Sequence, residues 1–188
     1  GHRVGTLCII DRKPRQFSDA DRSALRDLAD LVEREFGLET LGHFFDDRNR
    51  ALNILTEIAL DTAGDARQRA ERALQRACEY LGLETGIVSK ITGQAYTVHW
   101  QFTVGSADAV NGSTFPLDQT YCSLLLRTRD VLAIDHMGQS DFRDHVAYQR
   151  FGLECYLAAP FWVDGELFGT VNFSSPQPRS RPFTETEK

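Results

Sequence analysis

Residues 159–188 read APFWVDGELFGTVNFSSPQPRSRPFTETEK, and the architecture turns on them. Phe161, Trp162 and Val163 lead into Asp164-Gly165, and Leu167, Phe168, Val171 and Phe173 follow. An Asp-Gly pair between alternating apolar residues signals a tight β-hairpin, because such a turn needs residues that tolerate positive φ. The spacing predicts one strand over 154–163 and a second over 166–173. A Pro-Arg loop (Pro178, Arg179) comes next, then Phe183, Thr184 and Glu185, the order in which a capped helix opens. The same signals stand at the other end of the chain. Gly1, Gly5, Thr6, Pro14, Arg15 and Phe17 recur as Gly165, Gly169, Thr170, Pro178, Arg179 and Phe183. Val4, Leu7 and Ile9 are answered by Phe168, Val171 and Phe173, and Ser18, Asp19 and Asp21 by Thr184, Glu185 and Glu187. A period this long points to tandem domains, since solenoid repeats are far shorter. The expectation is a piece of a longer protein: residues 1–36 the C-terminal tail of an upstream domain, 37–50 a connector helix, and 51–188 a second copy lacking its final helix.

Between the two copies the pattern alternates between helix and strand. Residues 1–10 read as a strand after a glycine turn. Ser18 is an N-cap in front of Asp19 and Asp21, and Leu25, Leu28, Leu31 and Val32 share one helical stripe to about Phe36. Leu38, Leu41, Phe45, Arg48, Leu52 and Leu55 continue at alternating steps of three and four. That alternation is either a coiled-coil seam or the face by which a connector helix packs on its own domain. A further helix follows Gly64-Asp65 and ends at Gly82, a C-cap by composition. Gly86–Thr92 and Tyr96–Val104 read as strands around Gly93-Gln94, with Val98, Trp100 and Phe102 alternating against Thr97, His99 and Gln101. Residues 105–119 read as a loop, 121–127 as a short helix, 130–134 as a strand and 146–151 as another short helix. The fold class is α+β, a central antiparallel sheet with helices on both sides.

Composition narrows the function. With 41% hydrophobic and 26% charged residues among 188, the chain is ordinary for a globular protein. A net charge of −6 and pI near 5.4 argue against tracking nucleic-acid phosphates or anionic membranes. No apolar run approaches the roughly 18 residues of a membrane span. Cys8, Cys78, Cys122 and Cys155 form no Cys-x-x-Cys pair, which favours reduced thiols, and the five histidines have no metal-ligand spacing. No metal is expected.

The order of elements, the 159–188 ending and the opening GHRVGTLCIIDRKPRQFSDADRSALRDLADLV (residues 1–32) resemble the end of a GAF domain. The resemblance covers 45–188 as a nearly complete domain and 1–36 as the tail of another. It implies a non-catalytic sensing or dimerisation module of a bacterial signalling protein. Such modules sit upstream of an output domain such as a histidine kinase or diguanylate cyclase. The apolar seam and the tandem repeat lead to the expectation of a homodimer through helices 19–60, and the unpaired cysteines to that of a cytoplasmic setting, in a parent that can itself be membrane-anchored. In this fold the ligand lies between the sheet and the helices inserted into it. By position the lining is Trp100, Phe115, Tyr121, Cys122, Asp135, His136, His145, Tyr148, Tyr156 and Asn172, and the small-molecule ligand is unknown. Aromatic walls with a few polar groups suit a small-ligand pocket, although the same residues also serve as core and loop caps.

Two cofactor chemistries of the family are weighed on single positions. Cys122 opens a predicted helix, where the dipole lowers a thiol pKa, and it matches a cysteine of the branch that reduces free methionine sulfoxide. That branch's further pocket cysteine has no counterpart in 141–150, and Cys155 falls on the next strand. A redox enzyme or thiol sensor using Cys122 is therefore an alternative, as is a structural dimerisation spacer with no ligand. Bilin-binding members attach their chromophore through a cysteine followed by histidine. His145 is present, but Arg143 and Asp144 precede it, so covalent bilin attachment is not expected. The Asn-Lys, Phe and Asp-Glu signature of cyclic-nucleotide binders is missing.

Overall fold

One helix, α1 (Asp19–Leu60), occupies the stretch where a helix to Phe36 and a separate connector were expected. Gly37 and Gly42 cost it about 1 kcal/mol each, but neither takes the positive φ that would end it. Its start is a capping box. Ser18 N–H donates to Asp21 Oδ2 at 2.8 Å, and Asp21 N–H donates back to Ser18 Oγ at 3.2 Å. The structure, a computed structural model, describes residues 6–8, 10, 12–105, 111–128 and 130–188, and among these all side chains but those of 39–41, 43 and 44. Gly1, Val4, Gly5 and Ile9, on which the expected first strand rests, lie outside the described residues, and Thr6–Cys8 and Ile10 are in no strand. The chain divides into two units, residues 1–49 and 50–188.

In the first unit Leu28, Leu31, Leu38 and Phe45 are exposed, while Leu25 and Val32 of the same stripe are half-buried. In the second, Leu52 and Leu55 are exposed as well. Asp61 closes the turn after α1 by accepting from Arg72 Nε (2.7 Å), Arg72 Nη2 (2.8 Å) and Arg76 Nη1 (3.2 Å). α2 (Ala66–Leu81) then begins at Asp65 with a second capping box, to Gln68, and ends at Gly82 in the left-handed conformation. It buries Leu74, Cys78 and Leu81.

Six antiparallel strands form the sheet: β1 (Thr85–Thr92), β2 (Ala95–Thr103), β3 (Thr114–Pro116), β4 (Leu132–Ile134), β5 (Cys155–Val163) and β6 (Glu166–Ser175), in the order β3-β2-β1-β6-β5-β4. The Asp164-Gly165 turn joins β5 to β6 with both residues at positive φ, as the hairpin signal requires. β3 lies in the stretch expected as a loop, because three residues are too few to show alternation. One face of the sheet, with Phe173, Cys155 and Leu157, meets Leu81, Leu83 and Phe183. On the other face Tyr96, Val98, Tyr156 and Ala158 meet residues of the excursion between β3 and β5. That excursion carries α3 (Cys122–Thr128) and α4 (Val146–Phe151).

Residues 176–188 are tied down by charge. Arg179 donates to Leu81 O at 2.8 Å and to Glu187 Oε1 at 2.8 Å, while its guanidinium lies 4.2 Å from the Phe183 ring centre. Thr184 N–H donates to Glu187 Oε2 at 2.8 Å, the same three-residue spacing as Ser18 and Asp21. Both copies of the Phe-Ser/Thr-acid signal therefore make the same local bond.

Candidate functional site

A cavity of about 190 Å³ lies over the sheet beneath the excursion. Its floor is Ile87 on β1, Tyr96, Val98 and Gln101 on β2, Tyr156 on β5, and Asn172 and Ser174 on β6. Phe115, Thr120, Tyr121, Cys122, Phe151 and Leu153 supply the walls. A bulge sets this floor. Val88 pairs with Trp100 and Ser89 with Val98, so His99 is an extra residue on β2. Beyond it the alternation changes phase, and Gln101, opposite Ile87, joins the lining in place of Trp100.

Behind the floor runs a buried polar seam. Ser89 Oγ and Thr170 Oγ1 are 2.8 Å apart, and Thr170 N–H donates to Ser89 Oγ at 3.1 Å. Cys122 Sγ is 3.1 Å from Thr170 Oγ1 and 3.2 Å from the Tyr156 hydroxyl. Asn172 Nδ2 donates to the Tyr96 hydroxyl at 3.2 Å. The seam explains the Gly-Thr pair at 169–170. A Cβ on Gly169 would stand 1.8 Å from Ser89 O, and the Thr170 hydroxyl bridges β1 to α3. The polar groups are thus paired with one another, as buried groups must be.

Electrostatically the site is neutral. Burial raises the pKa of Cys122, outweighing its hydrogen bonds from Thr170 and Tyr156, so the expected helix-dipole activation does not operate. Burial likewise raises Tyr96, Tyr121 and Tyr156. Cys155, pushed up to about 12 by burial, and Cys78 both belong to the opposite face of the sheet, so neither stands beside Cys122.

Of the residues placed by sequence, Phe115, Tyr121, Cys122, Tyr156 and Asn172 come together on the cavity. Tyr121 stacks on Tyr156 with ring centres 5.0 Å apart and donates to Leu153 O at 3.1 Å. Trp100 is carried to the other face by the bulge, where its ring is 4.4 Å from His99. Asp135 instead anchors the C-terminal segment, its Oδ1 accepting from Phe183 N–H and its carbonyl from Arg179 N–H. His136 and Tyr148 bind Glu154: His136 Nε2 is 3.5 Å from Oε2, and the Tyr148 hydroxyl donates to Oε1. His145 caps α4 by accepting from Ala147 N–H, and its Nε2 lies 3.3 Å from Ser123 Oγ. Desolvation, with help from Arg127, lowers its pKa. Sequence reasoning missed Ile87, Tyr96, Val98, Gln101, Thr120, Phe151, Leu153 and Ser174. Tyr96 was accessible, since it shares the two-residue period of Val98; Gln101 was not, since only the bulge brings it in.

Among the described residues no group of three or more His, Cys, Asp or Glu side chains could hold a metal ion. No helix among them is long and apolar enough to cross a membrane.

The GAF domain model matches residues 65–188, and the chain belongs to the GAF family. GAF domains are sensory and regulatory modules of signalling proteins and are generally non-catalytic. Similar solved structures include the GAF domain of a phosphoenolpyruvate-protein phosphotransferase from Coxiella burnetii, at 17% identity and TM-score 0.60, covering 74% of this chain and 84% of that one. The corresponding Acinetobacter domain is 12% identical at TM-score 0.57, over 75% of this chain and 82% of that one. A phycocyanobilin-bound GAF domain from a cyanobacterial phytochrome is 15% identical at TM-score 0.56, over 75% and 85%. At these identities the likeness concerns the fold. No curated protein matches the chain significantly in sequence.

Proposed function

We propose that this chain is a sensory module that holds a small molecule in the cavity under Tyr121 and Cys122 and passes its occupancy to an output domain. The observation that carries the reading is the cavity itself, walled by aromatic rings yet backed by a satisfied polar seam. A molecule preferring one arrangement of the covering excursion shifts the population toward it. The exposed apolar residues of α1 fit pairing with a second copy through helices 19–60. The parent is read as a bacterial, cytoplasmic signalling protein whose output domain, a histidine kinase or diguanylate cyclase, does the chemistry. The matching bonds from Ser18 N–H to Asp21 and from Thr184 N–H to Glu187 support residues 1–36 as the tail of an upstream copy.

A redox role for Cys122 has less support, because its thiol is fully buried, held protonated and without a cysteine neighbour among the described residues. Covalent bilin attachment is also disfavoured. The cavity falls below the roughly 300–1,000 Å³ of drug-sized ligand pockets.

Native mass spectrometry of freshly purified protein tests the reading. A reproducible non-covalent adduct is expected, and it should fall away in Leu153→Trp, which fills the cavity from its wall. Bare wild-type protein whose melting temperature rises in Leu153→Trp would show a vacant packing defect in place of a binding site.

A further inference from the structure

We infer that the excursion over the cavity carries a proton-operated latch: His145 pins the start of α4 only while its ring is neutral, and protonation releases that pin. The latch is built from contacts within the excursion, so it stands whether or not a molecule fills the cavity.

Two bonds fix the ring. His145 Nδ1 accepts from Ala147 N–H at 3.2 Å, and a backbone amide can only donate, so Nδ1 carries no proton. A neutral imidazole must then hold its proton on Nε2, which lies 3.3 Å from Ser123 Oγ. Ser123 is the matching acceptor, because its own hydroxyl donates to Thr120 O at 2.8 Å. A second proton on the ring has one place to go. It turns Nδ1 into a donor aimed at another donor, and the side-chain cap of α4 is lost. Ser, Thr, Asp and Asn, the usual capping residues, keep their acceptor throughout the neutral range, whereas histidine gives it up there.

The surroundings disfavour the cation. Desolvation, and then the Arg127 charge on α3, hold the ring's pKa below its ordinary value of about 6.5. Tyr121, stacked on the ring with centres 6.5 Å apart, has its own pKa raised by burial and stays neutral. Arg143 and Asp144, which precede the ring, are largely exposed and 3.8 Å apart. Glu154, before β5, is taken by Tyr148 of α4, by Gly138 N–H and by His136. The cap is therefore whole above about pH 6.5 and is lost as pH falls through the folded pKa. Release reaches the cavity, because α4 ends in Phe151 and the ring stacks on Tyr121, both lining residues.

The test follows the His145 ring by heteronuclear NMR and the α4 amides by hydrogen exchange, from about pH 8 to pH 5. At the upper end the ring should show the Nε2–H tautomer. As it titrates, protection of the Ala147 amide and its α4 neighbours, corrected for intrinsic exchange, should fall about three- to tenfold, the worth of one cap. Both curves should share a midpoint. His145→Asn keeps a capping acceptor that does not titrate, and should hold α4 protection flat across that range. An Nδ1–H tautomer, a ring that titrates while protection holds, or a ring still neutral at about pH 5 overturns the inference. So does a His145→Asn variant whose protection falls as in wild type, which would assign the effect to His136 or Glu154. Should the variant not fold, the wild-type tautomer and the shared midpoint decide alone. None of these readouts needs a ligand, so bare protein in mass spectrometry removes the proposed function and leaves the latch to be decided on its own.

Discussion

Gly169 is the residue whose side chain, by being absent, holds the sheet together. Any Cβ there would press on Ser89 O at 1.8 Å, a backbone atom that cannot swing aside. Gly169→Ala should therefore cost about 2–4 kcal/mol of stability, measured by urea denaturation, a large effect for one methyl group. An Ala variant within about 0.5 kcal/mol of wild type would mean that β1 and β6 can separate at this point. The reason for this glycine was hidden in the sequence. A glycine before a β-branched residue reads equally well as a turn, and only the cross-strand register, which pairs Gly169 with Lys90 and Thr170 with Ser89, brings Ser89 O against it. Similar limits applied to the site. Tyr121, Cys122 and Tyr156 were found because family position places them, whereas Trp100 was lost to a one-residue bulge at His99. No local signal in Trp100-Gln101 marks the phase change.

The segment from Pro178 to Lys188 shows how a short stretch is fixed by ion pairs that outweigh desolvation. Burial alone would raise the pKa of Glu187, but bonds from Arg181, from Thr184 N–H and from Arg179 overcome it and bring it down to about 2. A carboxylate whose folded pKa is depressed contributes stability that is fully present above its unfolded pKa. That contribution is lost as pH falls through the folded value. Glu187→Gln should lower stability by up to about 3 kcal/mol at pH 7, the worth of such a shift, and the gap to wild type should close between about pH 4.5 and pH 2. A gap that is constant with pH would show that the segment is held by Phe183 packing and not by charge. Here the sequence was informative, because Phe, Thr and Glu at 183, 184 and 187 spell a helix start, and Thr184 N–H makes the capping bond to Glu187 at the head of a turn. Helix α1 was less so. Two glycines argued for a break, and the reading of two helices was overridden by continuous backbone hydrogen bonding through both.

At the scale of the whole molecule the exposed apolar residues of α1 are the surface on which pairing with a second copy would act. Leu52 and Leu55 are more than half exposed, at 51% and 61%, and lie on the stripe continued from Leu38 and Phe45. With charge at both positions, in Leu52→Glu/Leu55→Glu, sedimentation velocity should show a shift from dimer to monomer at micromolar concentration. A wild-type chain that already sediments as a monomer, or a variant that stays dimeric, would take α1 out of the interface.

The cavity also has an unusual division of origin. Its floor comes from strands near both ends of the domain, locked by Gly169, Thr170 and Ser89, while its walls come from one continuous run, residues 115–153. In evolutionary terms that run behaves as a cassette. Exchange of a single stretch of coding sequence that keeps β4, its core residues and Asp135 could give the domain a different chemical appetite.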